Sequence, residues 1–260
     1  MEHRNKVILI TGASSGIGRA AAIALAKYGN HIAITARRPP LLREVAREIN
    51  NAGSECVDFA GDATDSAHGE FVVQETIKRY GRIDVALLIV GMGPPSNTLT
   101  ASSETILYCM RANYDSMINF FVPVMAQMKK QDTHCMISHT NSLASYFGIP
   151  MQGDYTAAKG AARIFIETAR MELQHSGIKH IKLQTIHPGV VATDAVKNSG
   201  QPTPNEISED RAVRYILKGI ESEVNENCFP FAMALAVRIG RVSPLWLRTK
   251  LLLAAVPKEY

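Results

Sequence analysis

The chain is poor in cysteine, and no two of its cysteines are spaced to work together. Cys56, Cys109, Cys135 and Cys228 are scattered without a Cys-x-x-Cys, which excludes a disulfide framework and points to free thiols in a reducing compartment. The eight histidines are equally dispersed, with no His-Glu-x-x-His or comparable ligand cluster, so no metal site is expected. Lysine and arginine form no long run and the net charge is only +4, which leaves nucleic acid without an electrostatic footprint. No Gly-Lys-Ser/Thr follows the glycine-rich turn, and this disfavours a nucleoside triphosphate hydrolase. No stretch is apolar enough to cross a bilayer. The tail from Phe229 to Pro257 comes nearest, but Arg238, Gly240, Arg241, Pro244, Arg248 and Lys250 interrupt it. Met1 to Lys6 leads directly into a strand and leaves no room for a signal peptide. The expectation is a soluble, cytoplasmic protein, with peripheral membrane attachment as the alternative.

What is present is enough for one large domain. The 260 residues are 46% hydrophobic and 20% charged, a balance that buries a sizeable core and excludes a disordered chain. Short apolar runs of the buried-strand type alternate with helical segments, with no linker and no repeat. That alternation predicts an α/β fold: a doubly wound (Rossmann) parallel sheet of about seven strands with helices on both faces, spanning 1–260.

The first run, Lys6 to Thr11, ends in Gly12-Ala13-Ser14-Ser15-Gly16-Ile17-Gly18 and is followed by an alanine-rich helix. Glycines there let the backbone approach a pyrophosphate, and the helix N-terminus offers free N–H groups and a positive dipole end. A tight strand-to-helix turn with no ligand is the plainer alternative. The second strand, His31 to Thr35, runs into Ala36-Arg37-Arg38. An acidic residue at this place in a dinucleotide fold would hold ribose hydroxyls; two guanidiniums instead suit a 2′-phosphate, and so NADP(H) over NAD(H). Asp62, beside Ala63 at the end of the third strand, is a candidate for the adenine amino group or for the cap of the helix at Ala67–Tyr80. The fourth strand, Ile83 to Val90, ends at Gly91 in a loop where open α/β sheets bind ligands.

A helical stretch from about Ser103 to Met128 holds Asn113, a poor helix former that a local kink and a water would keep inside. The fifth strand leads to Ser142. Thirteen residues on, Tyr155 and Lys159 share one face of a helix that runs to about His175, so a hydroxyl at a strand end faces a Tyr/Lys pair. That is an acid–base arrangement, although Tyr-x-x-x-Lys alone is common on solvated helices. The sixth strand ends in His187-Pro188-Gly189-Val190-Val191-Ala192-Thr193, a turn suited to the nicotinamide end, with Thr193 near the carboxamide. Residues 194–206 are polar and proline-rich, a lid or a plain surface loop. For the apolar, basic tail (229–257) the choices are packing or an oligomer contact, preferred here, or a membrane surface.

Taken together, Thr11 to Gly18, Asp62, Asn113, Ser142, Tyr155, Lys159 and Pro188-Gly189 resemble the short-chain dehydrogenase/reductase family over essentially the whole chain. The resemblance implies a nicotinamide cofactor and a catalytic tetrad of Asn113, Ser142, Tyr155 and Lys159. It also implies carbonyl reductase or alcohol dehydrogenase chemistry (EC 1.1.1.-) on a small carbonyl or alcohol, polar or apolar, and a homodimer or homotetramer. Lys159 would lower the phenol pKa of Tyr155 and hold ribose hydroxyls, Ser142 would aim the carbonyl, and Asn113 would hold a relay water. Arg37 and Arg38 match members that prefer NADP(H). The cofactor set expected is Gly12, Ser14, Ser15, Gly16, Ile17, Gly18, Arg37, Arg38, Asp62, Ala63, Gly91, Tyr155, Lys159, Pro188, Gly189, Val191 and Thr193. Two departures stand out. Leu88-Ile89-Val90-Gly91 replaces the family's Asn-Asn-Ala-Gly, which puts the bracing of the central sheet in question, and His139-Thr140-Asn141-Ser142 replaces a pair of serines. Alternatives are a lipid-ketone reductase of the 3-ketosphinganine type at a membrane surface, and a catalytically silent NADP(H)-binding regulator or scaffold.

Overall fold

The computed structural model describes residues 1–197, 205–254 and 256. Seven parallel strands form one sheet in the order β3-β2-β1-β4-β5-β6-β7. They are β1 (Val7–Thr11), β2 (His31–Ala36), β3 (Glu55–Ala60), β4 (Val85–Leu88), β5 (Cys135–Thr140), β6 (Ile181–Pro188) and β7 (Glu226–Phe229). The central strands β1, β4 and β5 are buried along their whole lengths; β1 and β4 accordingly read as near-continuous apolar runs, while β5 carries Ser138, His139 and Thr140 inside. The order reverses between β1 and β4. A crevice opens at the carboxyl ends of the strands there, and open sheets of this kind bind ligands in that crevice.

One face of the sheet is covered by α1 (Gly16–Ala26), α2 (Pro39–Asn51) and α8 (Glu209–Ser222), which bury Leu25, Leu42, Ile49 and Ile216. The other is covered by α3 (Ser66–Tyr80), α5 (Ser116–Met128) and α6 (Gly153–His175), whose contributions include Val72, Phe120, Val124 and Ile166. Local chemistry sets the boundaries. Asp65 caps α3 by accepting from the Ala67 amide, and Gly81 closes it at φ +80° with Lys78 and Arg79 in the last turn. Asp62 is therefore not the cap that its position allowed; it accepts instead from Thr64 N and Oγ1, at 2.9 and 3.0 Å.

The long helix expected over 103–128 is broken. α4 (Ser103–Met110) and α5 are joined by a π-helical turn, Arg111–Asp115, which buries Asn113 completely. One wider turn rotates a side chain off the helix surface, so the π turn is the kink that an inward asparagine needs. Between β6 and α8, a short α7 (Asp194–Lys197) precedes residues 198–204, so most of the lid expected at 194–206 lies outside the described residues. After β7 the tail forms α9 (Phe231–Val242) and α10 (Leu245–Ala254). No described helix is long and apolar enough to cross a membrane.

Candidate active site

The glycine turn after β1 is tight for a specific reason. A Cβ on Gly12, at φ +70°, would lie 3.1 Å from Val90 N, and one on Gly18 would collide with the Gly12 carbonyl oxygen. Any side chain at these two points would push α1 away from the sheet. The first turn of α1 carries no acidic residue, and Ser15 at its N-cap position makes no side-chain cap. The Ser15 hydroxyl is turned to Arg38 instead, whose Nη2 donates to Ser14 Oγ at 3.0 Å and Ser15 Oγ at 2.6 Å. Uncapped helical N–H groups, a dipole end and a guanidinium make this corner fit an anion such as a diphosphate. Arg37 diverges from Arg38 and donates to the Tyr108 hydroxyl at 3.1 Å, which raises its pKa further. Thr193 lies over the same turn, with its Cγ2 3.2 Å from where a Gly16 Cβ would stand. Gly189 donates to Phe229 O at 2.7 Å, and Val191 is buried in a bridge to Ile207. Ala63, also buried, accepts from Asn119 Nδ2 at 3.0 Å.

Ser142, Tyr155, Lys159 and Asn113 converge at the carboxyl ends of β4 and β5. A single point, the site of a Cβ on Gly91, is 2.8 Å from Asn113 Oδ1 and 3.0 Å from Lys159 Nζ. Lys159 is buried and donates to Thr140 O at 3.0 Å. Its ammonium sits 5.9 Å from the centre of the Tyr155 ring, and the Ser142 hydroxyl, which accepts from Ala144 N at 3.0 Å, lies near enough to the Tyr155 phenol to oppose the rise in its pKa. That ring also packs on Gly93, where a Cβ would come within 2.9 Å of Cδ2. Asn113 acts as a clamp: Nδ2 donates to Met92 O (2.7 Å) and Cys109 O (2.9 Å), while Oδ1 accepts from Met92 N (3.1 Å). A relay water held by its side chain would have to use the Oδ1 lone pair that remains.

The electrostatics differ from the expectation in one respect. Burial pushes the Tyr155 phenol up, and the Ser142 hydroxyl opposes this only in part. Lys159 does not pull the phenol down here, because burial penalises its own charge and lowers its pKa to about 8. Cys109, beside Asn113 and Asp154, is pushed up to about 11 by burial and is an inert thiol.

A sequence profile described as short chain dehydrogenase matches residues 6–203. The chain belongs to the short-chain dehydrogenase family. It is an oxidoreductase of that family. An uncharacterized oxidoreductase of Listeria innocua is 32% identical over 197 residues, which are 76% of this chain and 79% of that protein. A 3-ketodihydrosphingosine reductase of Bacteroides thetaiotaomicron is 30% identical, covering 89% of this chain and 82% of its own. Among solved structures, a short-chain dehydrogenase/reductase of Burkholderia phymatum in complex with NAD superposes with TM-score 0.84 at 20% identity, over 94% of this chain and 99% of that one. An alcohol dehydrogenase of Thermococcus sibiricus with 5-hydroxy-NADP gives TM-score 0.77 at 24% identity, over 87% and 95%. At these identities the structures establish the fold, and the fold does not choose a substrate.

This short-chain dehydrogenase makes up for its missing amides. At Leu88-Ile89-Val90-Gly91, the Ile89 amide donates to Thr11 Oγ1 at 3.0 Å, and His139 Nδ1 meets Leu88 O at 3.2 Å. Thr11 and His139 thus brace the strand end from both neighbouring strands. A carbonyl only accepts, so His139 carries its proton on Nδ1, and full burial holds it neutral with its pKa well below the usual value. Three residues with structural roles in the site were not singled out from sequence. Asn141 accepts from Ser142 N (2.8 Å) and donates to Lys159 O (2.9 Å), tying the two together. His187, lowered to about 4 by burial, holds Ser142 O at 3.1 Å. Asp154 is buried and accepts from Tyr155 N at 2.8 Å. Only the adjacency of Asn141 to Ser142 and of Asp154 to Tyr155 could have drawn attention to them.

Proposed function

We propose that this chain is an NADP(H)-dependent carbonyl reductase or alcohol dehydrogenase, with Tyr155 as the general acid and base. The observation that carries the reading is the meeting of Tyr155, Ser142, Lys159 and Asn113 next to the anion-fitting glycine turn. A nicotinamide, when bound, would supply or take up the hydride at a ketone or secondary alcohol carbon. Tyr155 delivers its phenolic proton to the substrate oxygen in reduction and removes it in oxidation. Ser142 holds that oxygen and shares its developing charge. Lys159 lies deep enough to hold ribose hydroxyls, and bound anionic phosphates would favour its charged form and with it the phenolate of Tyr155. Arg38 lying on Ser14 and Ser15, with no acid at the end of β2, supports a 2′-phosphate and hence NADP(H). Asp62, Ala63, Gly91, Pro188, Gly189, Val191 and Thr193 line the rest of the cofactor path in this reading.

The loops that close over the substrate are 91–98 and 143–153, joined by a bridge between Ser96 and Gln152. α4, α5 and α6 expose Leu107, Val122, Ile164 and Met171, a face that a second copy would cover in a homodimer or homotetramer. A lipid-borne ketone is the second reading. It is favoured by the apolar tail that borders the site and by the Bacteroides relative named for such a substrate.

The test is Tyr155→Phe, assayed on a panel of ketones and alcohols with each nicotinamide. We expect NADPH binding to persist while turnover disappears. Reductase activity undiminished in that variant would end the assignment of Tyr155. NADPH binding by the wild type with no turnover anywhere in the panel would point to a silent binding protein instead.

A further inference from the structure

The last two helices present a surface that the chain itself leaves uncovered. Phe231, Leu235, Ile239 and Val242 recur along one face of α9, and Phe231 and Val242 are 75% and 83% exposed. The other face of α9 is the packed one: Ala234 is buried, Met233 abuts Gly189, and Gly240 lies on Phe147. α10 buries no residue, and Leu245, Trp246, Leu251 and Leu253 are all exposed. A soluble monomer rarely leaves so many large apolar side chains together in water.

The charge of this segment has one sign, although Glu226, just before it, accepts from the Tyr146 hydroxyl at 3.1 Å. From Cys228 to Val256 there is no Asp or Glu, while Arg238, Arg241, Arg248 and Lys250 are present. Of the chain's 28 lysines and arginines, removing these four leaves 24, which balance its 24 carboxylates, so the whole net charge of +4 is that of this segment. Arg241 and Arg248 lie over the rings of Tyr146 and Phe147, at 5.7 and 5.3 Å, and so hold the basic groups beside the apolar stripe. A two-fold contact with a second copy would set these four like charges against each other, with no acid from the segment itself to offset them. The exposed face on α4 to α6 offers a second copy a place without that conflict.

We infer that α9 and α10 dock this enzyme onto an anionic lipid bilayer, with the apolar stripe in the interface and the basic groups on the headgroups. The docked helix borders the site through its packed face, where Met233 abuts Gly189 and Gly240 abuts Phe147, five residues beyond Ser142. Docking stands apart from the reductase reading, but it would bring the substrate loops to a membrane-dissolved carbonyl.

The chain has a single tryptophan, Trp246, and it is 69% exposed on this surface, so it serves as its own reporter. The experiment mixes full-length protein with vesicles of phosphatidylcholine alone, or with about one-third phosphatidylglycerol. We expect co-sedimentation and a shift of Trp246 emission to shorter wavelength with the anionic vesicles, both reversed by high salt. Lys250→Gln and Arg238→Gln should each weaken partitioning about five-fold, and Ile239→Ser should weaken it as well. Turnover of a water-soluble ketone should stay unchanged in these variants. Three results overturn the inference: no vesicle binding at low salt, binding that ignores lipid charge, or an oligomer that Ile239→Ser dissociates while vesicles have no effect. Absence of turnover in the wild type would count against the reductase reading alone.

Discussion

Replacing Gly91 by alanine inserts one methyl group between the side chains that the proposed chemistry depends on. The new Cβ would stand 2.8 Å from Asn113 Oδ1 and 3.0 Å from Lys159 Nζ, whereas relaxed contacts are about 3.5–4.0 Å. A gap of roughly 0.5–1 Å must therefore open. Asn113 is tied by three hydrogen bonds to Met92 and Cys109, so it resists. Lys159 is held by one bond, to Thr140 O, and its flexible stem makes it the group that moves. Losing that buried bond to a charged donor costs about 1.5–3 kcal/mol, which is a drop of about 5 °C in Tm for a chain of this size. Displacing the lysine by about 1 Å should cut turnover about a hundredfold. Gly160→Ala, one residue from Lys159, is the control. Its Cβ would meet only Ser145 O, at 3.6 Å, an ordinary contact, and alanine in the interior of α6 adds roughly 0.5–1 kcal/mol. Thermal melts and steady-state kinetics on both variants decide the matter. The reasoning fails if Gly91→Ala keeps kcat/KM within about two-fold of the wild type, or if both variants lose activity alike.

The other two predictions concern charge. Lys159 has its pKa lowered from 10.5 to about 8 by burial, so its charge destabilises the fold at neutral pH by up to about 3 kcal/mol. With the bond to Thr140 O subtracted, Lys159→Met should be more stable than the wild type by up to about 1.5 kcal/mol at pH 7 and inactive. Because the unfolded chain binds this proton more tightly, the wild type gains stability as pH rises from about 8 to 10.5, and the advantage of methionine should shrink over that window; denaturant melts across pH that show a constant difference would refute it. Arg38→Ala removes the guanidinium from Ser14 and Ser15 and should raise KM for NADPH by about 10- to 100-fold while changing KM for NADH little. Equal losses with both cofactors would remove the argument for a 2′-phosphate site.

The sheet was legible in the sequence because buried parallel strands have no polar face to blur them. β3 falls on the strand expected from Glu55 to Ala60 although it carries Glu55 and Asp58 and is only half-buried, and α2 and α8 begin at Pro39 and after Ser208, residues that start helices by their own chemistry. The glycine turn and the spacing from Ser142 through Tyr155 to Lys159 were legible too, since each depends on residues close in the chain. What tertiary structure decided was everything set by distant partners. Tyr108 draws Arg37 away from Arg38 across 71 positions, and no local pattern announces that. That Asp65 caps α3, where Asp62 was expected as a candidate, was settled by backbone geometry, and the π turn that buries Asn113 appears in no propensity. The braces from Thr11 and His139 that stand in for absent amides join residues brought together by β1, β4 and β5 lying side by side. The sign of the Tyr155 shift was also tertiary. Sequence places a lysine one helical turn away, which argues for a lowered phenol, but burial depends on how α6 seats against the strand ends, and in this fold burial raises the phenol and lowers the lysine as well.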